Sequence, residues 1–382
     1  MIITKTYKYK LYRNKKNKHL HQQIDISGIV YNHCIALHKR YYRMYGKHLN
    51  CYHLQKHITK LKKRSRYAFW KLVSSTAIQD ITERIDKAYK LFFRNLKHGV
   101  KTAPPGFKKV KKYKSFTLKQ AGWKLLDGNK IKINSHIYKY SKSRDIEGNI
   151  RTVSVKRDAL NDLYLCFSVK QEIKPPDTRG HSRVCGFDFG LRTFLTSSNG
   201  SDIENPLFHK QSQEDIKVAN QELSRKQKGS NHYKQAKRKL AKVHEKVKNR
   251  RKDYQFKLAN SLTDDYDVLI FETLNIRGMQ RLWGKKVSDL SFSSFVNIVS
   301  YYGTIKGKTV HFLNQWEPTT KPCSVCGYMN HTLTLKDRFW TCPQCGTFHN
   351  RDRNASINIE RQGVVALGLG DVRPSFETAV SA

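Results

Sequence analysis

Residues 184–190, Val-Cys-Gly-Phe-Asp-Phe-Gly, place a carboxylate, Asp188, inside an otherwise apolar strand. Beyond it, Thr193-Phe194-Leu195-Thr196 and an Asn199-Gly200 turn read as the next hairpins of the same sheet. Two more acids occupy comparable settings. Glu272 follows the apolar run Val268-Leu269-Ile270-Phe271, and Asp352 lies in Asn-Arg-Asp-Arg-Asn-Ala-Ser at what reads as the start of a helix. Because the chain carries 73 Lys+Arg against only 30 Asp+Glu, acids kept at strand ends are informative. Taken singly, each reads more readily as a turn or a solvated strand edge. Their order is what points to chemistry: strand-Asp, basic helix, strand-Glu, cysteine cassette, helix-start Asp. Phosphodiester hydrolysis by two metal ions needs carboxylates that converge from separate elements on cations about 3.5–4 Å apart. Mg²⁺ accepts a few carboxylates and completes its shell with water and phosphate, which suits so sparse a set.

The cassette is Cys323-x2-Cys326 and Cys342-x2-Cys345, with residues 327–341 between the pairs. Each CxxC supplies two thiolates from a tight turn, and two such knuckles close a tetrahedron around one Zn²⁺. With all four positions filled by sulfur the ion is structural. Gly327 and Gly346, one after each pair, suit the backbone of such knuckles. Between the knuckles, Lys336, Arg338 and Trp340 are candidates to face nucleic acid. Cys34, Cys51, Cys166 and Cys185 are scattered among apolar neighbours and read as buried, reduced hydrophobes.

A net charge of +43 on 382 residues demands a polyanion, while a 38% hydrophobic fraction is enough for folded cores. No apolar run approaches the roughly 18–20 residues that span a bilayer, and no secretory signal opens the sequence, so nucleic acid is the expected partner and the cytoplasm the expected location. The basic residues are spread along the chain rather than gathered in a tail, so the footprint should be long and binding steeply salt-dependent. No GxxxxGK[ST], GxGxxG or HExxH appears, which argues against ATP-driven, dinucleotide and zinc-protease chemistry.

Ile2 to Tyr9 alternates like a strand. Helical spacing runs from about Leu20 to Gly46, and Ile78, Ile81, Ile85, Ala88 and Phe92 form a second stripe. Pro104-Pro105-Gly106 ends this helical region. Strands then flank an Asp127-Gly128 turn between Trp123 and Ile133, and Leu163, Leu165, Phe167 and Val169 alternate. Pro175-Pro176 marks the next boundary. A basic helical region covers about 210–262, with Ala236, Leu240, Val243, Val247, Tyr254 and Leu258 in an approximate heptad too short to favour a coiled-coil dimer. Thr309 to Leu313 reads as a strand leading into the cassette.

Gly186 to Thr196 (GFDFGLRTFLT), FETLNIRGM, CSVCG, CPQCG and NRDRNASINI resemble the TnpB (OrfB) family of transposon-encoded, RNA-guided DNA endonucleases, relatives of compact type V CRISPR effectors. The resemblance implies a multidomain α+β chain. A RuvC-like nuclease of RNase H fold would occupy 179–317 and 349–362, and a zinc-binding, target-nucleic-acid-binding insertion 318–348. A wedge-like β-barrel would occupy 1–17 and 101–178, a helical recognition domain 18–100, and a flexible tail 363–382. It assigns catalytic Mg²⁺ binding to Asp188, Glu272 and Asp352, and zinc to Cys323, Cys326, Cys342 and Cys345. A guide RNA from the transposon right end and target double-stranded DNA are the implied partners, with one protein per RNA. Base pairing then reads sequence while the protein reads a short adjacent motif. Lys71, Ser75, Gln79, Thr117 and Gln120 are the candidates for that contact. The sequence departs from the family where Asn350 replaces the first acid of Asp-Arg-Asp, where Thr319-Thr320 replaces Ser-Ser, and where Tyr302-Gly303-Thr304-Ile305 replaces Lys-Tyr-Lys-Ala. An RNA-guided regulator without cleavage and a strand-transferring transposase remain alternatives.

Overall fold

A computed structural model describes residues 1–173, 183–334 and 336–370. The Pro175-Pro176 boundary and residues 371–382 of the expected tail lie outside them. The chain divides into two compact units, which meet in sequence after Ile173.

In the first unit, β1 (Ile2–Leu11) is followed by α1 (Asn17–Tyr45), α2 (Cys51–Leu61) and α3 (Ser75–Lys97). Six strands follow: β2 (Ser115–Leu118), β3 (Trp123–Leu126), β4 (Lys130–Ile133), β5 (His136–Ser141), β6 (Asn149–Arg157) and β7 (Leu163–Glu172). They form one nearly closed antiparallel sheet in the order β2-β6-β7-β1-β5-β4-β3. The first strand pairs with the last, from Ile2 opposite Glu172 to Lys10 opposite Tyr164, so the helices are an insertion between two parts of one sheet. Alternation decides the faces: Tyr7, Tyr9 and Leu11 are buried, as are Leu163, Leu165, Phe167 and Val169, while the residues between them are not. The Asp127-Gly128 turn forms: Leu126 pairs with Lys130 across a three-residue loop in which Gly128 and Asn129 take positive φ of 68° and 58°.

Helix α1 stops at Gly46, whose φ of 62° ends it in the left-handed conformation that glycine adopts without a Cβ penalty. Ser74 caps α3 by accepting a hydrogen bond from the Ala77 amide. The buried line of α3 is Ile78, Ile81, Ile85 and Tyr89; Ala88 turns out to solvent because the 3.6-residue period carries the stripe to its neighbour.

In the second unit, β8 (Val184–Phe189), β9 (Thr193–Ser197) and β10 (Asp202–Glu204) lead to α4 (Phe208–Gln211), α5 (Gln213–Ser224) and α6 (Asn231–Asp265). Next come β11 (Val268–Phe271), α7 (Ile276–Leu290), α8 (Phe292–Lys306) and β12 (Thr309–Phe312). The cassette hairpin, β13 (Phe339–Thr341) and β14 (Phe348–Asn350), runs into α9 (Arg351–Ala366). The basic helical region is therefore divided among α4, α5 and α6 rather than continuous. Gly229 at φ 96° breaks it, and Ser230 caps α6 by accepting from the Tyr233 amide.

The main sheet runs β10-β9-β8-β11-β12. β8, β9 and β10 are antiparallel neighbours, whereas β11 lies parallel to both β8 and β12. This 3-2-1-4-5 order with one reversed strand is the RNase H-like sheet. Period-two alternation gives β8 two different faces. Cys185, Phe187 and Phe189 join Phe194, Phe271, Phe292 and Phe295 in the larger core. Gly186 and Asp188 point the other way, onto α9.

Gly186 is what lets α9 approach. A Cβ there would overlap the backbone of Ser356 and Glu360, and one at Gly363 would overlap the Ile270 side chain. Glu360, fully buried, fixes the register, since the Ser198 hydroxyl donates to its carboxylate while the Gly186 amide donates to Ser198 Oγ at 3.0 Å. The helix also continues past 362. Gly363 packs on the sheet, and Val364, Leu367 and Leu369 pack with Val184, Val268 and Ile270, so residues 363–370 are anchored by apolar contact rather than forming part of a tail. Replacing Gly186 by alanine should lower stability by roughly 2 kcal/mol or more, because backbone cannot yield as a side-chain tip can. Thermal melts of Gly186→Ala against wild type will measure this.

Candidate functional site: three carboxylates beside a four-cysteine cluster

Parallel pairing places Phe271 opposite Phe187, so the next residues along the two strands are Glu272 and Asp188. Adjacent strands lie about 4.8 Å apart, which brings two carboxyl groups into contact. They share a hydrogen bond, and the Phe189 amide donates to Glu272. The third acid, Asp352, is the second residue of α9, and its charge is felt at Asp188. Asn350 caps this helix: its side-chain oxygen accepts from the Asp352 and Arg353 amides at 3.0 and 3.1 Å. The structure thus brings Asp188, Glu272 and Asp352 together, and gives Asn350 a capping task that asparagine performs as well as aspartate.

Burial raises the Asp188 carboxyl well above the usual range, and the charges of Glu272 and then Asp352 add to the rise. Burial raises Glu272 as well. Without a cation between them the pair favours a shared proton, because two close carboxylates cannot both ionise cheaply. The donor set therefore fits divalent ions: hard oxygens, clustered, poorly neutralised. Two arginines partly compensate. Arg338 Nη1 lies 2.7 Å from Asp352 Oδ2, and Arg351 reaches Oδ1 through Nε and Nη2 at 3.1 and 3.0 Å. Sequence reading gave Arg351 no role and Arg338 only a general exposure to nucleic acid. The pairing of both with Asp352 depends on how the hairpin folds back.

The four cysteines converge. Their sulfur atoms all lie within 4.8 Å of one another, with Cys323–Cys345 at 3.7 Å and Cys326–Cys342 at 3.6 Å. A tetrahedron with Zn–S near 2.3 Å has edges of roughly 3.8 Å, so the set fits zinc, and the separations are far from disulfide length. The knuckles are near copies: the amides of Cys323 and Cys342 donate to Tyr328 and Thr347 carbonyls, and Gly327 and Gly346 close the turns at φ 81° and 71°. Around them sit partners that spacing alone did not reveal. His349 Nε2 lies 3.1 Å from Cys323 Sγ, and burial lowers the imidazole below its ordinary range. Hydrogen bonds from Thr347 bring the Cys345 thiol down to about 6. Trp340 is not at the nucleic-acid surface; it is buried and tilted against His349 with ring centroids 4.7 Å apart.

Asn354 and Asn358, one helical turn apart on α9, tie the first knuckle to the helix. Both donate to the Pro322 carbonyl at 2.7 Å, and Asn354 Oδ1 accepts from the Ser324 amide at 2.8 Å. The cysteine cluster and Asp352 are thereby held on one rigid element. Of the other cysteines, Cys34 and Cys185 are buried as expected, but Cys51 and Cys166 are only partly so.

In the first unit, Lys71, Ser75 and Gln120 are exposed and Gln79 is half-buried. The loop carrying Gln120 is bonded to the start of α3 through Thr76 Oγ1 and the Ala121 carbonyl, at 3.2 Å. Ser75, Gln79 and Gln120 therefore lie on adjoining elements. Lys71 lines a separate polar cleft with His19, Gln22, Asn134 and His136. Thr117 does not belong to an accessible surface. It is buried, and its hydroxyl is engaged by Arg84 and by Ser154 at 2.8 Å.

Residues 165–282 match the family model described as "Probable transposase" (OrfB_IS605), and 292–359 match a Cas12f1-like TNB domain. A "Putative RNA-guided DNA endonuclease" of Streptomyces pristinaespiralis is 27% identical over 99% of this chain and 94% of its own length. The chain thus carries segments similar to OrfB_IS605 and to a Cas12f1-like TNB domain, in agreement with the resemblance. InsQ of Escherichia coli K12, also named "Putative RNA-guided DNA endonuclease", is 24% identical over 90% of this chain and 88% of its own. Among solved structures, Cas12f1 in a complex with sgRNA and target DNA superposes with a TM-score of 0.58 at 14% identity, covering 94% of this chain and 99% of that one. At that identity the likeness is one of fold. No described helix is long and apolar enough to cross a membrane.

Two measurements follow. Because folding raises Asp188 above its unfolded value, stability falls as pH climbs through the raised range and stays lower at neutral pH. Asp188→Asn should therefore melt a few degrees (~2–5 °C) higher than wild type at pH 7.5 without added divalent ion, the two converging near pH 4. Cys342→Ser should lower bound zinc from one per chain to near zero by elemental analysis, and open the hairpin to protease.

Proposed function

We propose that this chain is an RNA-guided DNA endonuclease that cuts double-stranded DNA at one site built from Asp188, Glu272 and Asp352. The observation that carries the reading is the convergence of these carboxylates from β8, β11 and α9, with Asp188 held far from its ordinary ionisation. The family's relatives, named RNA-guided DNA endonucleases, support the same reading.

In this proposal Asp188, Glu272 and Asp352 hold two Mg²⁺. Metal ions held there would supply Lewis-acid chemistry, making a bound water more acidic and offsetting charge on the leaving oxygen. The protein's own part is placement. The parallel pair β8–β11 fixes Asp188 against Glu272, and the capped start of α9 brings Asp352 over them. Arg338 and Arg351 hold the Asp352 carboxylate in one orientation. Cys323, Cys326, Cys342 and Cys345 would hold a structural zinc, which would keep the hairpin, and with it Arg338, in position.

The guide is taken to be an RNA from the transposon right end, paired with one DNA strand. The protein's cations serve its phosphates: on α6, Lys237, Arg238, Lys242 and Lys246 are all exposed. The α1–α3 insertion and the sheet of the first unit are assigned to recognition of a short target-adjacent motif, with Lys71, Ser75, Gln79 and Gln120 as its accessible candidates.

Purifying the full chain with its RNA, sequencing that RNA, and supplying matched DNA with Mg²⁺ tests the proposal. Cleavage should appear with wild type and fall roughly a thousandfold or more in Asp188→Ala and Glu272→Gln, the several kcal/mol that metal-assisted charge stabilisation supplies. Undiminished cutting by either variant would refute the site. Guided binding with wild-type protein that leaves DNA intact would favour a regulator, and joined ends a transposase.

A further inference from the structure

The solvent face of the β13–β14 hairpin carries two large apolar rings that its folding leaves in water. Register pairs Phe339 with Asn350, Trp340 with His349 and Thr341 with Phe348. Alternation then puts Trp340 and His349 on one face, buried against the cysteines, and Phe339, Thr341, Phe348 and Asn350 on the other. On that outer face Phe339 is 58% and Phe348 67% exposed. Their rings lie parallel, at an interplanar angle of 8° with centroids 5.7 Å apart. The outer face of a half-buried strand is ordinarily polar, and here the inner face alone packs on the hairpin's small core of Cys323, Trp340 and Cys342.

The position of the pair matters as much as its exposure. Arg338, adjacent to Phe339, reaches Asp352 at 2.7 Å, and Asn350, opposite Phe339, caps the helix that bears Asp352. The aromatic face thus begins where the carboxylate cluster ends. Lys336 and Arg338, both exposed, flank it with positive charge. Aromatic rings bordered by cations match a single strand, whose bases offer their π-faces and whose phosphates meet the charges. A duplex hides those faces, and an apolar protein surface would have to desolvate the cations.

We infer that Phe339 and Phe348 form a stacking platform for unpaired bases of the DNA strand delivered to Asp188, Glu272 and Asp352. The inference rests on the nuclease reading and adds to it a specific substrate contact.

The test uses the full chain carrying its own RNA, with cutting silenced by Glu272→Gln. Fluorescence anisotropy measures affinity for a labelled oligothymidylate and for the same strand annealed to its complement. The double variant Phe339→Ala/Phe348→Ala should weaken single-strand binding about 10- to 100-fold. It should leave duplex binding within about twofold and keep one zinc per chain; Phe339→Trp/Phe348→Trp should retain single-strand affinity. Unchanged single-strand binding with zinc retained overturns the inference, as does an equal loss for both DNAs. A dimer in wild type that becomes monomer in the double alanine variant, with DNA binding unaltered, would assign the face to a second copy of the chain and also overturn it. Since binding is read without cleavage, persistent cutting by Asp188→Ala would sink the nuclease site while leaving this result to stand or fall alone.

Discussion

The close approach of α9 to β8 is the contact on which the second unit's chemistry depends. A helix laid on a sheet normally stands off by the thickness of two side-chain layers, about 10 Å. At Gly186 one layer is missing, and the Ser356 and Glu360 backbone fills its place. Gly363 repeats the arrangement against Ile270. Depth alone would leave the helix free to slide, and the buried Glu360–Ser198 hydrogen bond prevents that. A buried carboxylate that lost its donor would carry an uncompensated desolvation cost, so the register is specified and not merely permitted. Asp352 owes its place over Asp188 to this combination of two missing side chains and one obligatory hydrogen bond.

The hairpin that precedes α9 has the opposite difficulty. Its own core is small, limited to Cys323, Trp340 and Cys342 with Leu333 beside them. Hydrophobic burial on that scale cannot hold so short a segment. A metal bound by the four thiolates would supply the missing free energy, as it does in small metal-stapled domains. Asn354 and Asn358 then transmit that rigidity to α9. The staple and the carboxylate cluster are therefore one mechanical assembly. Arg338 belongs to both, lying on the hairpin and touching Asp352.

Much of this was legible beforehand. The strands at Val184, Val268 and Thr309 follow from apolar runs closed by polar residues. The knuckles follow from cysteine spacing with glycine behind each pair. The convergence of Asp188, Glu272 and Asp352 was anticipated from their order along the chain. Where the reading fell short, a three-dimensional contact intervened. Ala88 gave way to Tyr89 because a helical stripe drifts with its true period. Thr117 looked available but lies under Arg84 and Ser154. Trp340 looked like a nucleic-acid contact, yet alternation in a two-stranded hairpin turned it toward the sulfurs and turned Phe339 outward. The end of α9 looked like tail because its apolar residues show no pattern until the sheet beneath them is known.

By itself the sequence determined the charge that demands a polyanion, the thiols that demand a metal, and the strand ends that carry acids. These are local properties, written in residue type and spacing. Only the tertiary structure decided which carboxylates lie in hydrogen-bond contact, which arginines face Asp352, and how near a helix can come to a strand. Those outcomes depend on distances between segments far apart in the chain, and such distances are set by packing and register, which no single stretch of residues contains.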